Sequence, residues 1–205
     1  MIVDTARFSK EKGTTMADPR MEKWAKALVG YSVDVREGQT VAIVAQAAAE
    51  PLIREVAKEV IAKGAHPIVM PSIEGVTADL LRDGSDEQLR DISPPGGVMR
   101  LQADVVINIR AETNTRRMSA VDPKRQSLYT AARAHLTEGY MRRAADGELD
   151  WTLTLFPTDA YAQDADMDTA EFEDFVMRAC KLDRDDPVAA WKERRDEQQR
   201  LVDWL

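Results

Sequence analysis

The stretch from residue 40 to residue 73, TVAIVAQAAAEPLIREVAKEVIAKGAHPIVMPSI, decides the fold of this chain. It begins with a short, apolar and partly β-branched run, residues 40–45, which is typical of a buried strand. Pro51 then opens a segment whose apolar residues recur at helical spacing, and Gly64 stands where a left-handed helix cap is expected. Residues 67–73 form a second strand-like run. A strand, a helix and a strand over this length indicate a right-handed parallel crossover.

The flanking sequence extends this pattern in both directions. Asp18 followed by Pro19 predicts the start of a first helix, because aspartate caps helix N-termini and proline suits the first turn. Residues 104–109 are a third apolar run, and residues 149–156 alternate as a strand near a sheet edge does. Asp122 and Pro123 predict a helix that runs to about residue 134. The fold class is therefore α/β, with a mostly parallel sheet flanked by helices.

The last quarter of the chain has only helical patterns. Asp168, followed three residues later by Glu171, suggests a capping box, and Asp186 with Pro187 opens a final helix. That helix reaches Leu205 without a glycine cap or a basic last turn, so we expect the chain to continue into a further domain. The expected division is a flexible extension or misassigned start at residues 1–16, an α/β domain at 17–158 and a helical segment at 159–205.

Composition excludes several classes of protein. The net charge of −8 is concentrated in residues 159–205, which carry 14 acidic and 7 basic residues, and no lysine and arginine cluster suited to phosphates occurs. Nucleic-acid binding is therefore not expected. No apolar run is long enough to cross a bilayer, and the first 15 residues lack a signal-peptide core. With Cys180 as its single cysteine, the chain is expected to be cytoplasmic and free of disulfides.

The sequence offers no familiar metal, nucleotide or nucleophile site. His66 and His135 are the only histidines, and no HExxH motif or cysteine pair accompanies them, so no metal site is expected in this chain. The acidic run at residues 164–168 fails as a calcium loop because Thr169 and Phe175 occupy its glycine and glutamate positions. Neither of the two glycine-rich nucleotide fingerprints is present. Cys180 is interpreted as a core residue.

One loop carries many functional groups. Residues 109–117, Ile-Arg-Ala-Glu-Thr-Asn-Thr-Arg-Arg, follow the third strand at its carboxyl end, where open α/β sheets bind ligands. The alternative interpretation is a solvated loop held by local side-chain bonds, and the residues alone leave the two equally open.

Ten short motifs follow one another along the chain. They are DPR at 18–20, LVGYS at 28–32, GAHP at 64–67, SDEQL at 85–89, NTR at 114–116, LFPT at 155–158, AYAQ at 160–163, EDFV at 173–176, DPVAAW at 186–191 and LVDWL at 201–205. Taken together, they resemble the N-terminal domain of the thermophilic metalloaminopeptidase family. The resemblance extends over residues 17–205, and the run from residue 160 to the end is its most specific part.

The resemblance implies an aminopeptidase that acts on peptides with a free amino terminus. In that family a catalytic domain follows this one and binds two divalent ions, of the zinc or cobalt type, so the chain alone is expected to be inactive and to hold no cofactor. Asn114, Thr115 and Arg116 are implied to face the substrate cavity. The family also implies a possible homodimer.

Two other interpretations stay open. One is a free-standing α/β module that binds a small anion or peptide near residues 110–116. The other is a structural subunit whose C-terminal helices dock on a partner through Trp191, Trp204 and Leu205.

Overall fold

The structure, a computed structural model, describes residues 18–92, 97 and 101–205. The expected extension at residues 1–16 lies outside the described residues. So do Pro94, Pro95 and Gly96, a sequence that predicts a break between two short helical segments. The strands are β1 Thr40–Gln46, β2 His66–Ser72, β3 Val105–Arg110 and β4 Asp150–Leu155. The helices named below are α1 Pro19–Ala27, α2 Glu50–Ala62, α3 Val76–Asp83, α4 Asp86–Arg90, α5 Pro123–Ala132, α6 Ala134–Ala145, α7 Asp159–Asp164, α8 Thr169–Ala179 and α9 Pro187–Trp204.

The four strands form one parallel sheet in the order β2-β1-β3-β4. Val41 is paired with Pro67 on one side and with Val105 on the other, and Val105 is paired in turn with Asp150. The predicted parallel α/β architecture is confirmed. The crossover unit from β1 through α2 to β2 occupies the stretch from which it was predicted.

The main core fills the space between one face of the sheet and helices α1, α2 and α8. Alternate residues of β1 and β3 point into it, and they are Val41, Ile43, Ala45, Val105, Ile107 and Ile109. The apolar stripe of α1 is buried, with Trp24 stacked on Phe156 at a centroid distance of 6.3 Å. The helical spacing of α2 also predicts Ile61 on its packed face, but Ile61 is exposed. It lies about 100° around the helix from Val60, which is fully buried in the same turn, so it falls to the side of the face that packs on the core.

The opposite face of the sheet is covered by α6, a helix that the sequence reading did not predict. The chain turns at Arg133 and continues to Ala145 instead of ending near residue 134. Tyr140 and Ala144 of α6 pack on a small cluster formed by Ala42, Ala103, Val106 and Leu149. The signal for α6 was present, since Leu136, Tyr140 and Ala144 are spaced four residues apart.

The C-terminal helices begin where their caps predict. Asp168 accepts hydrogen bonds from the amides of Ala170 and Glu171 at 2.9 and 3.3 Å, and Asp186 accepts one from Ala189 at 3.0 Å. Helix α8 contributes Phe172, Val176 and Met177 to the main core.

Helix α9 is attached at its first turns only. Trp191 stacks on Tyr31 at 6.3 Å and donates its indole N–H to the Cys180 carbonyl at 3.0 Å. The side chains from Lys192 to Leu205 are exposed. No helix in the described part of the chain is long and apolar enough to span a membrane.

Candidate functional site

The order of the strands creates a crevice at the carboxyl edge of the sheet. From β1 the chain crosses to β2 on one side, and β3 then lies on the other side of β1. The loops after β1 and β3 therefore leave in different directions, which is the arrangement in which open α/β sheets bind ligands.

A cleft of about 280 Å³ occupies this place. Residues at or beyond the ends of three strands line it. They are Gln46, Ser72, Ile73, Glu74, Gly75, Thr77, Ala78, Arg110, Glu112, Asn114, Thr115, Arg117 and Met118.

Glu74 organises the loop that follows β3. Its carboxylate accepts hydrogen bonds from the backbone amides of Thr113 and Asn114 at 2.9 and 3.0 Å, and also from the Thr113 hydroxyl. Nε of Arg117 donates to the same carboxylate at 3.4 Å. Partial burial alone would raise the pKa of Glu74, but these hydrogen bonds and the Arg117 charge outweigh it, so the pKa is lowered. Glu74 is therefore an ionised anchor for the loop.

Two further contacts fix the start of the same loop. The Gln46 side chain accepts the amide of Ala111 at 2.8 Å, and Ala111 is fully buried. The Thr158 hydroxyl donates to the Glu112 carbonyl at 2.6 Å, while the Glu112 amide donates to the hydroxyl of Tyr161 at 3.3 Å. The loop is thus held from the ends of β1, β2 and β4 at once. The interpretation of residues 109–117 as a loop stabilised only by local bonds does not fit these long-range contacts.

The charged groups of the cleft are paired with one another. Arg110 lies 3.3 Å from Glu112, and Arg117 lies 3.4 Å from Glu74. Two guanidinium groups and two carboxylates balance, so the cleft has no excess of either charge. A ligand with both donors and acceptors, such as a peptide backbone, suits this lining better than a multiply charged anion does.

Two of the three predicted site residues line the cleft, and the third does not. Asn114 and Thr115 line the cleft. Arg116 lies outside the lining and reaches toward Asp164, with 3.5 Å between the guanidinium and the carboxylate. The role of all three residues at a substrate cavity stays a prediction.

Sequence reasoning missed Glu74 as a part of this site. Open α/β sheets bind ligands at the carboxyl ends of their strands, and this rule applies to the loop after β2 as well as to the loop after β3. Glu74 and Gly75 lie in the loop after β2. Gly75 has a φ of +99°, which favours glycine, so this pair carried a turn signal as well as a charge.

A larger depression of about 780 Å³ lies among α3, α4 and α5. Its Arg133 donates to the carbonyls of Leu89 and Asp91 at 2.8 and 2.6 Å, and its guanidinium lies 3.5 Å from the Tyr129 ring centroid. Both cations of this depression are thus engaged, Arg133 in joining helices and Arg90 with the Asp86 carboxylate at 3.9 Å. The crevice at the sheet edge remains the better candidate.

The described residues do not fit a pair of divalent metal ions. Within residues 18–92, 97 and 101–205, no group of three or more His, Cys, Asp or Glu side chains is placed to hold a metal. His66 begins β2 at the amino edge of the sheet, opposite the cleft, and His135 is exposed on α6. The neutral imidazoles that zinc and cobalt favour are therefore remote from the carboxylates of the cleft.

The fold and its cleft define an open, parallel α/β domain with a crevice at the switch point of its sheet. The chain belongs to the thermophilic metalloprotease family M29, whose sequence model matches residues 17–205. It is 27% identical over 199 residues to Aminopeptidase 2 of Geobacillus stearothermophilus, and the match covers 92% of this chain and 48% of that protein.

The fold of the chain is also similar to that of a solved structure. Wild-type AmpT from Thermus thermophilus superimposes with a TM-score of 0.70 at 16% identity, over 85% of this chain and 45% of that one. The chain therefore spans about half the length of the relatives that it matches.

Proposed function

We propose that this chain is the non-catalytic half of a metal-dependent aminopeptidase that removes N-terminal amino acids from peptides in the cytoplasm. The observation that carries the proposal is the extent of the match. The family resemblance fills residues 17–205, yet the chain accounts for only 48% of Aminopeptidase 2. In this proposal the two divalent ions, of the zinc or cobalt type, are held by the other half of the enzyme.

The contribution of this chain is to enclose and orient the peptide. Asn114 and Thr115 offer side-chain amide and hydroxyl groups at the mouth of the cleft, and both can hydrogen bond to a peptide backbone. Glu74 and Gln46 hold that loop in place through four long-range hydrogen bonds to main-chain and side-chain donors of residues 111–114. A rigid loop positions a substrate at less entropic cost than a mobile one does.

The first test is an assay of the 205-residue chain itself. We expect no release of p-nitroaniline from leucine p-nitroanilide with added Co²⁺ or Zn²⁺, and no metal retained after desalting. Aminopeptidase 2 of Geobacillus stearothermophilus, assayed in parallel, is the positive control. Metal-dependent hydrolysis by the isolated chain would show that it carries a catalytic site and would overturn the assignment to the non-catalytic half.

A second test separates this proposal from the free-standing ligand-binding module. The coding DNA downstream of the Leu205 codon is expected to continue in frame and to encode glutamate, histidine, tyrosine and aspartate residues suited to metal binding. A stop codon directly after Leu205 would contradict the proposal. The search would then turn to small ligands of the cleft.

A further inference from the structure

Two polar side chains stand next to each other at the carboxyl edge of the sheet. Gln46 is the last residue of β1, and Arg110 is the last residue of β3. The residues before them, Ala45 and Ile109, are register partners in the parallel pairing of the two strands. Since side chains alternate between the faces of a sheet, Gln46 and Arg110 leave neighbouring strands on the same face. Both residues line the cleft.

The carboxamide of Gln46 has a fixed orientation. Its Oε1 accepts the backbone amide of the fully buried Ala111 at 2.8 Å, and only the oxygen of a carboxamide can accept this hydrogen bond. The Nε2 group has no acceptor within the part of the chain that the structure describes. Gln46 therefore offers the cleft a hydrogen-bond donor whose direction is set by the contact with Ala111.

The guanidinium of Arg110 is only partly engaged. Its Nη1 donates to Glu112 at 3.3 Å, in an ion pair whose side chains are 55% and 34% exposed. Exposed pairs of this kind contribute about 0–1 kcal/mol. Nε and Nη2 have no acceptor among residues 18–92, 97 and 101–205. These two groups form one side of the planar fork, and such a side can bind both oxygens of a carboxylate.

The two carboxylates already in the cleft leave these donors unoccupied. Glu74 accepts hydrogen bonds from the loop after β3 and pairs with Arg117, so its charge is compensated locally. Glu112 contacts Nη1 of Arg110 and neither Nε nor Nη2. The nitrogens that remain on Gln46 and Arg110 are all donors. The ligand group that matches them therefore brings acceptors, and a single carboxylate fits an arginine fork best.

We propose that Gln46 and Arg110 bind the C-terminal carboxylate of a peptide, with Arg110 donating from Nε and Nη2 and Gln46 donating from Nε2. The inference rests on the proposed function, because it takes the ligand to be the peptide substrate of that enzyme. It adds that this chain recognises the carboxyl end of the substrate, while the amino end lies at the catalytic half. A side-chain carboxylate has the same chemistry, and the test separates the two sources.

The test is an NMR titration of the isotopically labelled 205-residue chain with three peptides. They are leucylglycylglycine, its C-terminal amide, and leucylaspartylglycine amide, whose only carboxylate is on a side chain. We expect leucylglycylglycine to bind at least about tenfold more tightly than either amide, or 1.4 kcal/mol. The proposal is overturned if leucylglycylglycine does not bind or if its amide binds equally well. Equal binding of the aspartyl peptide assigns the site to side-chain carboxylates and overturns the C-terminal assignment.

Gln46→Glu isolates the donor from the structural role of the same residue. An oxygen still accepts the Ala111 amide, but a negatively charged oxygen takes the place of the Nε2 donor. We expect affinity for leucylglycylglycine to fall more than about tenfold. Gln39→Glu is the matched control, because the Gln39 side chain accepts a backbone amide in a turn before β1, at the opposite edge of the sheet. It should leave the affinity unchanged.

Arg110→Gln provides a second, independent variant at an exposed position. It should reduce the affinity for leucylglycylglycine to that of the amide. Arg194→Gln is its control, since Arg194 is also exposed and pairs with Glu197 at 3.1 Å, but on α9. Unchanged binding in both Gln46→Glu and Arg110→Gln would overturn the proposal. Binding requires no hydrolysis, so a failure here refutes the carboxylate site alone, whereas metal-dependent hydrolysis by the chain refutes the proposed function.

Discussion

Glu74 and Asn114 are joined by a hydrogen bond of 3.0 Å between the Glu74 carboxylate and the Asn114 backbone amide. The contact connects the loops after β2 and β3, which are 40 residues apart in the chain. It attaches one wall of the cleft to an ionised side chain, in addition to the contacts that Gln46 and Thr158 make with the same loop.

Replacing this carboxylate should destabilise the fold. Each carboxylate oxygen of Glu74 accepts one backbone amide. Glu74→Gln replaces one of these oxygens with an NH2 donor and removes the charge that faces Arg117, which predicts a loss of about 1–3 kcal/mol near neutral pH. Urea denaturation measures the loss. Glu50→Gln, on the exposed surface of α2, is the matched control and should change stability little.

The same pair of residues predicts a pH dependence. The pKa of Glu74 in the folded chain lies below its ordinary value of 4.5. The stabilisation is therefore fully present above that value and is lost as the pH falls through the lower folded pKa. The difference in unfolding free energy between wild type and Glu74→Gln should shrink in acid. A difference that stays constant from neutral to acidic pH would refute the role of the ionised form.

Gln46 is expected to matter for stability although it lies at the cleft. Gln46→Ala leaves the amide of the fully buried Ala111 without its acceptor, which should cost about 1–3 kcal/mol. Chemical denaturation checks this value. Gln39→Ala serves as control, because the Gln39 side chain also accepts a backbone amide, that of Arg36, but in an exposed turn. Equal losses in the two variants would contradict the prediction.

Truncation to alanine should destabilise the fold at one tryptophan and have no effect at another. Trp24 is 2% exposed and packs on Phe156, so Trp24→Ala should lower the free energy of unfolding by about 3–5 kcal/mol. Trp204 is 82% exposed near the end of α9, and Trp204→Ala should leave the melting temperature of the isolated chain unchanged. Calorimetry on both variants tests the pair. A marked destabilisation by Trp204→Ala would show that α9 is covered in solution.

Cys180 should react slowly in the folded chain. Burial raises the pKa of its thiol, so less of the reactive thiolate is present than in an exposed cysteine. A thiol-reactive chromogenic disulfide at mildly alkaline pH should modify it several-fold faster in denaturant than in buffer. Equal rates under the two conditions would contradict its interpretation as a core residue.

Most of the secondary structure was predictable because its signals are local. Asp18, Asp122 and Asp186 cap the helices that follow them, and each is succeeded by a proline in the first turn. Gly64 has the left-handed φ of +74° expected of a helix cap. These features act over a few residues, so they can be recognised without knowledge of the fold.

The sequence was a poorer guide where packing decides between similar patterns. Helix α6 has apolar residues at helical spacing, but its apolar stripe is narrow and interrupted by arginines. The helix is recognised only from its contact with the sheet. Ile61 repeats the error in the other direction. Its spacing suits the apolar stripe of α2, yet it lies to the side of the packed face, next to the fully buried Val60.

By itself, then, the sequence determined the fold class, the family and the loop of residues 109–117, because β-branched runs, helix caps and short motifs are properties of neighbouring residues. The tertiary structure alone decided the strand order, and with it the meeting of Glu74, Gln46 and Asn114 in one cleft. The physical reason is that contacts between residues tens of positions apart depend on how whole elements pack, and no local pattern of side chains records that packing.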